Sequence, residues 1–277
     1  MLRYGNLWAG NDSSYEIVAQ AYVAALALQS SGNPPPQSSL LALAGNVGVI
    51  TVDGPLIPGE AGFMSYFGIT GYGDIRNALI EAVSHPDVKS IMLSINSGGG
   101  AVDGCADCAT LISKVAEIKP VLTYADGAIG SAAYWIGSQA DAVLIGPTTV
   151  AGSLGVILKH REMSKAYADA GVTNTVIRTG EYKQLANPVE PLSDTAKAEL
   201  QQMSDDIYSV FLGAVAKAKS MSPALVDAKM GKGREFVGQR AVSVGLADGI
   251  ATFEGALSAA KAMQPFDNGM SGRQNMR

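Results

Sequence analysis

Ser131 lies in Tyr124-Ala-Asp-Gly-Ala-Ile-Gly-Ser-Ala-Ala-Tyr-Trp135, a run in which small residues join an apolar strand to a helix and turn the serine hydroxyl outward. A hydroxyl displayed on such a tight strand-to-helix turn is placed to attack a carbonyl. Upstream, Ile91-Met-Leu-Ser-Ile-Asn-Ser-Gly-Gly-Gly100 reads as a buried strand running into glycines whose bare backbone N–H groups can hold an oxyanion. A serine needs a base, and the chain has two histidines. His85 precedes Pro86 in a polar turn, whereas His160, about thirty residues past Ser131, leaves a Ser-His dyad conceivable. Lys183, about fifty residues past Ser131, sits in Thr179-Gly-Glu-Tyr-Lys-Gln-Leu-Ala-Asn-Pro188, a loop that follows an apolar run and can aim a side chain inward. For that amine to act as a base, an apolar pocket must bring its pKa from about 10.4 to near neutrality; otherwise it is an ordinary solvated lysine. A second serine, Ser153 in Val150-Ala-Gly-Ser-Leu-Gly155, falls between the two.

The elements that must position these residues begin at Gly45, where strands and helices start to alternate, an α/β pattern of parallel strands covered by helices. Strands are expected over 47–52, 89–95, 120–125, 141–145, 154–158 and 173–178, and helices over 72–84, 103–118, 131–139 and 160–170. The longest helix runs from a cap at Ser193 through Leu200, Met203, Ile207, Phe211 and Val215 to about Lys219, with a shorter one after Pro223. Residues 55–69 are too glycine-rich for a core element and too apolar for a solvated loop, which suggests a mobile segment facing substrate or a neighbouring subunit. A helix over 13–29, with Ile17, Ala21, Ala24, Ala25 and Leu28 on one face, is cut off by Ser30-Ser-Gly-Asn-Pro-Pro-Pro-Gln-Ser-Ser39. The chain therefore divides into an N-terminal helical arm and linker (1–40), a catalytic domain (41–263) and a polar tail (264–277) expected to be disordered.

With 47% hydrophobic and 16% charged residues, the 277-residue chain can bury a substantial core. The net charge of -5 and the lack of a dense basic run give no footprint for nucleic acid or an anionic membrane surface. No apolar run approaches the roughly 18 residues of a membrane helix. Ala21-Tyr-Val-Ala-Ala-Leu-Ala-Leu28 is short, and Asp12 and Glu16 precede it where a signal peptide would carry cations. Cys105 and Cys108 have no second Cys/His pair to complete a zinc site and read as small buried hydrophobes.

The glycine turn, the serine elbow, the second serine and the lysine loop occur in one order, followed by Arg234-Glu-Phe-Val-Gly-Gln-Arg-Ala-Val-Ser-Val-Gly-Leu-Ala-Asp248. Over roughly residues 45–255 this pattern resembles the serine-lysine peptidases that include signal peptide peptidase A and the prohead proteases of lambda-like phages. The resemblance implies a Clp protease/crotonase-like fold of repeated strand-strand-helix units with C-terminal helices. It implies Ser131 as nucleophile, Lys183 as general base, Ser153 as the group orienting the lysine, and an oxyanion hole from the N–H groups of Gly99 and Ala132. Gly98 stands where the family turn has proline, which loosens the turn and brings the Gly98 N–H into consideration. No metal or organic cofactor is implied.

A homo-oligomer is implied, in some members with serine and lysine from adjacent subunits. Without a membrane anchor, the resemblance favours a prohead protease acting on scaffold and capsid proteins inside an immature capsid in the host cytoplasm. The alternatives are a soluble bacterial signal-peptide-peptidase-like enzyme, a crotonase-type thioester enzyme and a non-catalytic capsid assembly protein.

Overall fold

The computed structural model describes residues 7–9, 16–21 and 39–263. The N-terminal strand β1 (Leu7–Ala9) and a helical stretch over residues 16–21 (α1) precede the main body. The rest of the expected helix over 13–29, nearly all of the linker, and the tail from 264 lie outside the described residues.

The main sheet forms because its strands are apolar on both faces, the pattern of a parallel sheet covered on each side. Its strands are β2 (Leu41–Ala44), β3 (Val47–Asp53), β6 (Ser90–Ser97), β8 (Val121–Gly130), β9 (Ala142–Ile145), β10 (Val150–Gly152), β12 (Glu235–Val237) and β13 (Gly249–Ile250). The central order is β12-β10-β8-β6-β3-β2, with β3, β6, β8 and β10 parallel, β2 and β12 antiparallel at the two ends, and β9 pairing β8 and β13. A second sheet, ordered β11-β1-β7-β4-β5, gathers β4 (Leu56–Ile57), β5 (Thr70–Gly71), β7 (Gly100–Ala101) and β11 (Ile157–Leu158) around β1.

Helix α2 (Tyr72–Ser84) buries Tyr72, Ile75, Ala78, Leu79 and Ala82, and α3 (Cys105–Ala116) buries Cys105, Cys108, Ala109, Ile112, Val115 and Ala116. Spacings of three and four residues put each set on one helix face, and both faces pack into the core that holds Ile50, Ile91 and Leu93. All six residues of α4 (Ala132–Gly137) are buried. Trp135 stacks on Phe211 with ring centroids 4.6 Å apart, and the Tyr134 hydroxyl donates to the Leu246 carbonyl at 2.9 Å. Phe211 belongs to the 26-residue α6 (Asp194–Lys219), which follows a short α5 (Ser164–Asp169) and leads into α7 (Pro223–Met230) and α8 (Gln239–Val244). On the opposite face of the sheet, α9 (Phe253–Ala262) places Ala256 and Ala260 over Met92, Leu122 and Tyr124.

The observed fold is the expected α/β class, and α2 coincides with its expected span. Three local expectations change. Residues 154–158 were expected as one strand, but pairing occurs at 150–152 and again at 157–158, with a bend at Ser153 (φ 54°) between them. Residues 173–178 form no strand, because nothing among the described residues pairs with them, and Ile177 is 94% exposed. Residues 55–69 are ordered into β4 and a 3-10 turn (Gly62–Phe67), with Leu56 and Ile69 buried.

The Trp135–Phe211 stack ties the serine-bearing helix to α6. Phe211→Ala opens a cavity beside Trp135, so urea unfolding should report a loss of about 3–5 kcal/mol, whereas truncating the exposed Val210 should cost little.

Candidate active site

Ser131 follows β8 and caps α4 with φ 51° and ψ −121°, a backbone conformation that non-glycine residues rarely adopt. Such a turn costs roughly 1–3 kcal/mol and persists only where the surroundings hold it. Here the Ser131 N–H donates to the Gly152 carbonyl at 2.8 Å, and the Ser131 carbonyl accepts from the Trp135 N–H at 2.9 Å. The Ser131 hydroxyl points to the Gly155 carbonyl at 3.4 Å, and the residue is 2% exposed. Ala132 is the first residue of α4, so its N–H lies where a helix leaves donors without an intrahelical acceptor.

The glycine turn lies against this elbow: a Cβ placed on Gly130 would come within 3.4 Å of the Gly98 carbonyl oxygen. Asn96 fixes the irregular part of β8 by accepting from the Ala128 N–H at 3.2 Å, where the β6–β8 register shifts. The Ser97 hydroxyl donates to the Gly54 carbonyl at 2.6 Å and accepts from the Gly99 N–H at 3.1 Å. Gly99 adopts φ 101°, and its N–H is held by a neutral oxygen that an anionic oxygen would have to displace.

Ser153 and Ser131 line one cleft of about 350 Å³, whose walls also include Gly155, Ile157, Asp205, Tyr208 and Lys232. The Ser153 N–H donates to the Arg234 carbonyl at 2.7 Å, while Gly152 has φ 120° and leaves no room for a Cβ, which would fall 2.6 Å from that same oxygen. The 231–234 corner is braced in turn. Tyr208 donates its hydroxyl to Asp227 at 2.6 Å and accepts from the Lys232 N–H at 2.7 Å. Arg234 reaches the Gly231 carbonyl at 3.1 Å and the Ala228 carbonyl at 2.6 Å, and the Gly233 N–H donates to the Leu154 carbonyl at 2.8 Å. Burial, and then the carboxylate of Asp227, push the Tyr208 phenol up to about 12, so it stays a neutral donor. The sequence reading passed over this α6 wall, although Gln201, Ser204, Asp205 and Tyr208 recur at spacings of three, four and seven, a polar stripe on one helix face.

Lys183 stands apart from these groups. Its side chain is exposed, on a turn between residues 181 and 186, and it is not among the residues lining the cleft. The turn itself is tied down: the Lys183 N–H donates to the Gly180 carbonyl at 3.1 Å, and Asn187 donates to the Gln184 carbonyl at 3.0 Å. Arg178 pairs with Glu190, and the His160 ring bonds the Asn187 carbonyl at 3.0 Å. His160 thus engages the lysine loop rather than Ser131. Cys105 and Cys108 are free and buried, and burial raises both thiols, Cys108 to about 12, so neither is a reactive thiolate. Among the described residues no cluster could hold a metal ion, and no helix is long and apolar enough to cross a membrane.

A serine displayed on a strained strand-to-helix turn of an α/β sheet, beside a glycine turn, is an architecture of the serine hydrolase kind. Residues 113–265 match peptidase family S49, and the chain belongs to that family. It is 32% identical over 237 residues to the capsid assembly protease C of Escherichia phage lambda, covering 85% of this chain and 53% of the relative. It is also 32% identical over 213 residues to the head-tail preconnector protein GP5 of Enterobacteria phage P21, covering 76% of this chain and 42% of that protein. The chain thus spans about half the length of these curated relatives. Among solved structures, an enoyl-CoA hydratase from Shewanella pealeana aligns over 80% of this chain and 70% of its own, at 12% identity and a TM-score of 0.46.

The contact of Gly152 with Arg234 predicts that Gly152→Ala displaces the 152–155 wall. Hydrolysis of a peptide substrate should fall at least about tenfold, and the urea midpoint should drop by the equivalent of about 1–3 kcal/mol.

Proposed function

We propose that this chain is a serine endopeptidase in which Ser131 attacks the peptide carbonyl and Lys183 serves as general base. The observation that carries this reading is the backbone of Ser131, a costly conformation maintained at the floor of a cleft by its bond to Gly152. Lys183 in its neutral form takes the hydroxyl proton, an ester forms on Ser131, and the lysine returns the proton to the leaving amine. Water then hydrolyses the ester. The N–H groups of Gly99 and Ala132 hold the oxyanion, with Gly99 released from Ser97, and Gly98 gives the turn the freedom to adjust. Ser153 orients the lysine from the wall it shares with Ser131.

A lysine acts as a base only when apolar cover removes its charge, and the exposed Lys183 lacks that cover in a single chain. A second copy supplies it. The reading is supported by exposed apolar residues on the loop that carries Lys183, Val172, Ile177 and Tyr182, and on α6, Met203 and Val210. Lys232, although it lines the cleft, is 67% exposed and faces Asp227 at 4.0 Å, a poor setting for a neutral amine. The active form is therefore a homo-oligomer in which Lys183 of one copy completes the site of the next.

The substrates are scaffold and capsid proteins of a phage, and the place of action is the immature capsid in the host cytoplasm. The identities to the lambda and P21 proteins support this assignment over a bacterial signal-peptide-peptidase-like role. The exposure of Lys183 favours a second reading, a non-catalytic assembly protein.

Casein hydrolysis separates the two readings. Ser131→Ala and Lys183→Ala should each lose activity by about a thousandfold or more, Lys232→Ala should retain it, and mixing the two inactive variants should restore activity through mixed assemblies. A Lys183→Ala protein that cleaves as well as wild type contradicts the assignment of the base. A wild-type assembly that cleaves nothing favours the non-catalytic reading.

A further inference from the structure

Three consecutive helices begin at one place. Tyr72 is the first residue of α2, Cys105 the first of α3 and Ala132 the first of α4. The Tyr72 hydroxyl donates to the Ala101 carbonyl at 2.6 Å, and the Cys105 thiol donates to the Ala132 carbonyl at 3.7 Å. The two side chains also meet each other: burial first, and then the neighbouring Cys105, hold the Tyr72 phenol well above its usual range, so it stays a donor. Both residues are buried. A polar bridge therefore runs through the core from Ala101, two residues past Gly99, to Ala132.

We propose that Tyr72 and Cys105 are positioning residues for the oxyanion hole, setting the separation of the Gly99 and Ala132 N–H groups across this bridge. The proposal rests on the peptidase reading above and adds to it the groups that hold its two donors in place. An oxyanion site works only when its donors stand about 2.7–3.1 Å from where the charge develops, and here they come from two different segments. Gly98 gives the turn no local restraint, so the place of Gly99 depends on what grips the residues after it. Two contacts do so. The Gly99 carbonyl accepts from the Leu56 N–H at 3.1 Å, and Ala101 is held by Tyr72. A buried hydroxyl and thiol cost desolvation that apolar side chains of the same shape avoid, and what they supply is a fixed geometry.

The bridge is itself anchored. Asp74 accepts from the Gly71 N–H at 3.1 Å and from the Ala61 N–H at 2.8 Å, which fixes the entry to α2 and with it the Tyr72 ring. Gly104 adopts φ 86°, and a Cβ there would come within 3.1 Å of that ring, so the ring lies against the start of α3. A thiol is the weaker donor, so Tyr72 is the stronger link and Cys105 carries the bridge on to α4.

Steady-state casein hydrolysis by the assembled chain tests this, with urea unfolding alongside. Tyr72→Phe keeps the ring and removes only the hydroxyl. Its kcat should fall about tenfold or more while KM changes by less than about twofold, the pattern of an interaction felt in the transition state. Cys105→Ala should lower kcat in the same way, and Cys105→Ser, which keeps a donor, should recover part of the loss. The double variant of Tyr72→Phe with Cys105→Ala should lose little more than Tyr72→Phe alone, because each change breaks the same bridge. Ser90→Ala removes a buried hydroxyl-to-carbonyl bond of equal length, 2.6 Å to Ala260 on the α9 face, and should lower the urea midpoint comparably with kcat unchanged. Wild-type kcat in Tyr72→Phe or Cys105→Ala, a loss carried by KM, or an equal loss of kcat in Ser90→Ala overturns the proposal and leaves the peptidase reading intact. A wild-type assembly that cleaves no casein overturns both.

Discussion

Everything near the site depends on holding Ser131 in a backbone conformation that a side chain resists. The strain, of order 1–3 kcal/mol, is offset on two sides. Behind it, α4 is buried along its whole length and fixed by the Trp135–Phe211 stack and the Tyr134–Leu246 bond. In front of it, the Gly152 carbonyl takes the Ser131 N–H, and Gly152 is itself pressed against Arg234. The corner that carries Arg234 is held by Tyr208 and Asp227, so α6, α7 and β12 act as a frame around one turn.

That dependence explains what could be read in the sequence. The elbow and the glycine turn were legible because each relies on local chemistry: small residues where the backbone turns sharply, glycines where φ is positive, and apolar runs where a strand is covered on both faces. Helix α2 was legible for the same reason, its apolar positions repeating at helical spacing. The frame was not, because Tyr208, Asp227 and Arg234 meet only through the packing of α6 on α7, and their contacts leave no short-range spacing. The polar stripe from Gln201 to Tyr208 was visible but is indistinguishable in sequence from a solvated helix face.

The region between β11 and α6 shows where sequence and single-chain structure part. Its apolar residues suggested a strand over 173–178, yet a strand needs a partner and the described residues offer none. What exists is a loop braced at its base by Arg178, Glu190, Asn187 and His160, with apolar side chains and Lys183 turned to solvent. The exterior of that loop is apolar at Val172, Ile177 and Tyr182. The family membership of residues 113–265 spans both the elbow and this loop. Beside the elbow, β1 pairs with β7 on one side and with β11 on the other.

The central claim, that Ser131 is the nucleophile, is tested most directly by trapping the acyl-enzyme. The assembled chain would be reacted with an activated ester, quenched in acid during the burst, digested and mapped by mass spectrometry. The account predicts one acyl adduct per active site, located on Ser131. An adduct on another residue, or a burst with no adduct on Ser131, would contradict it.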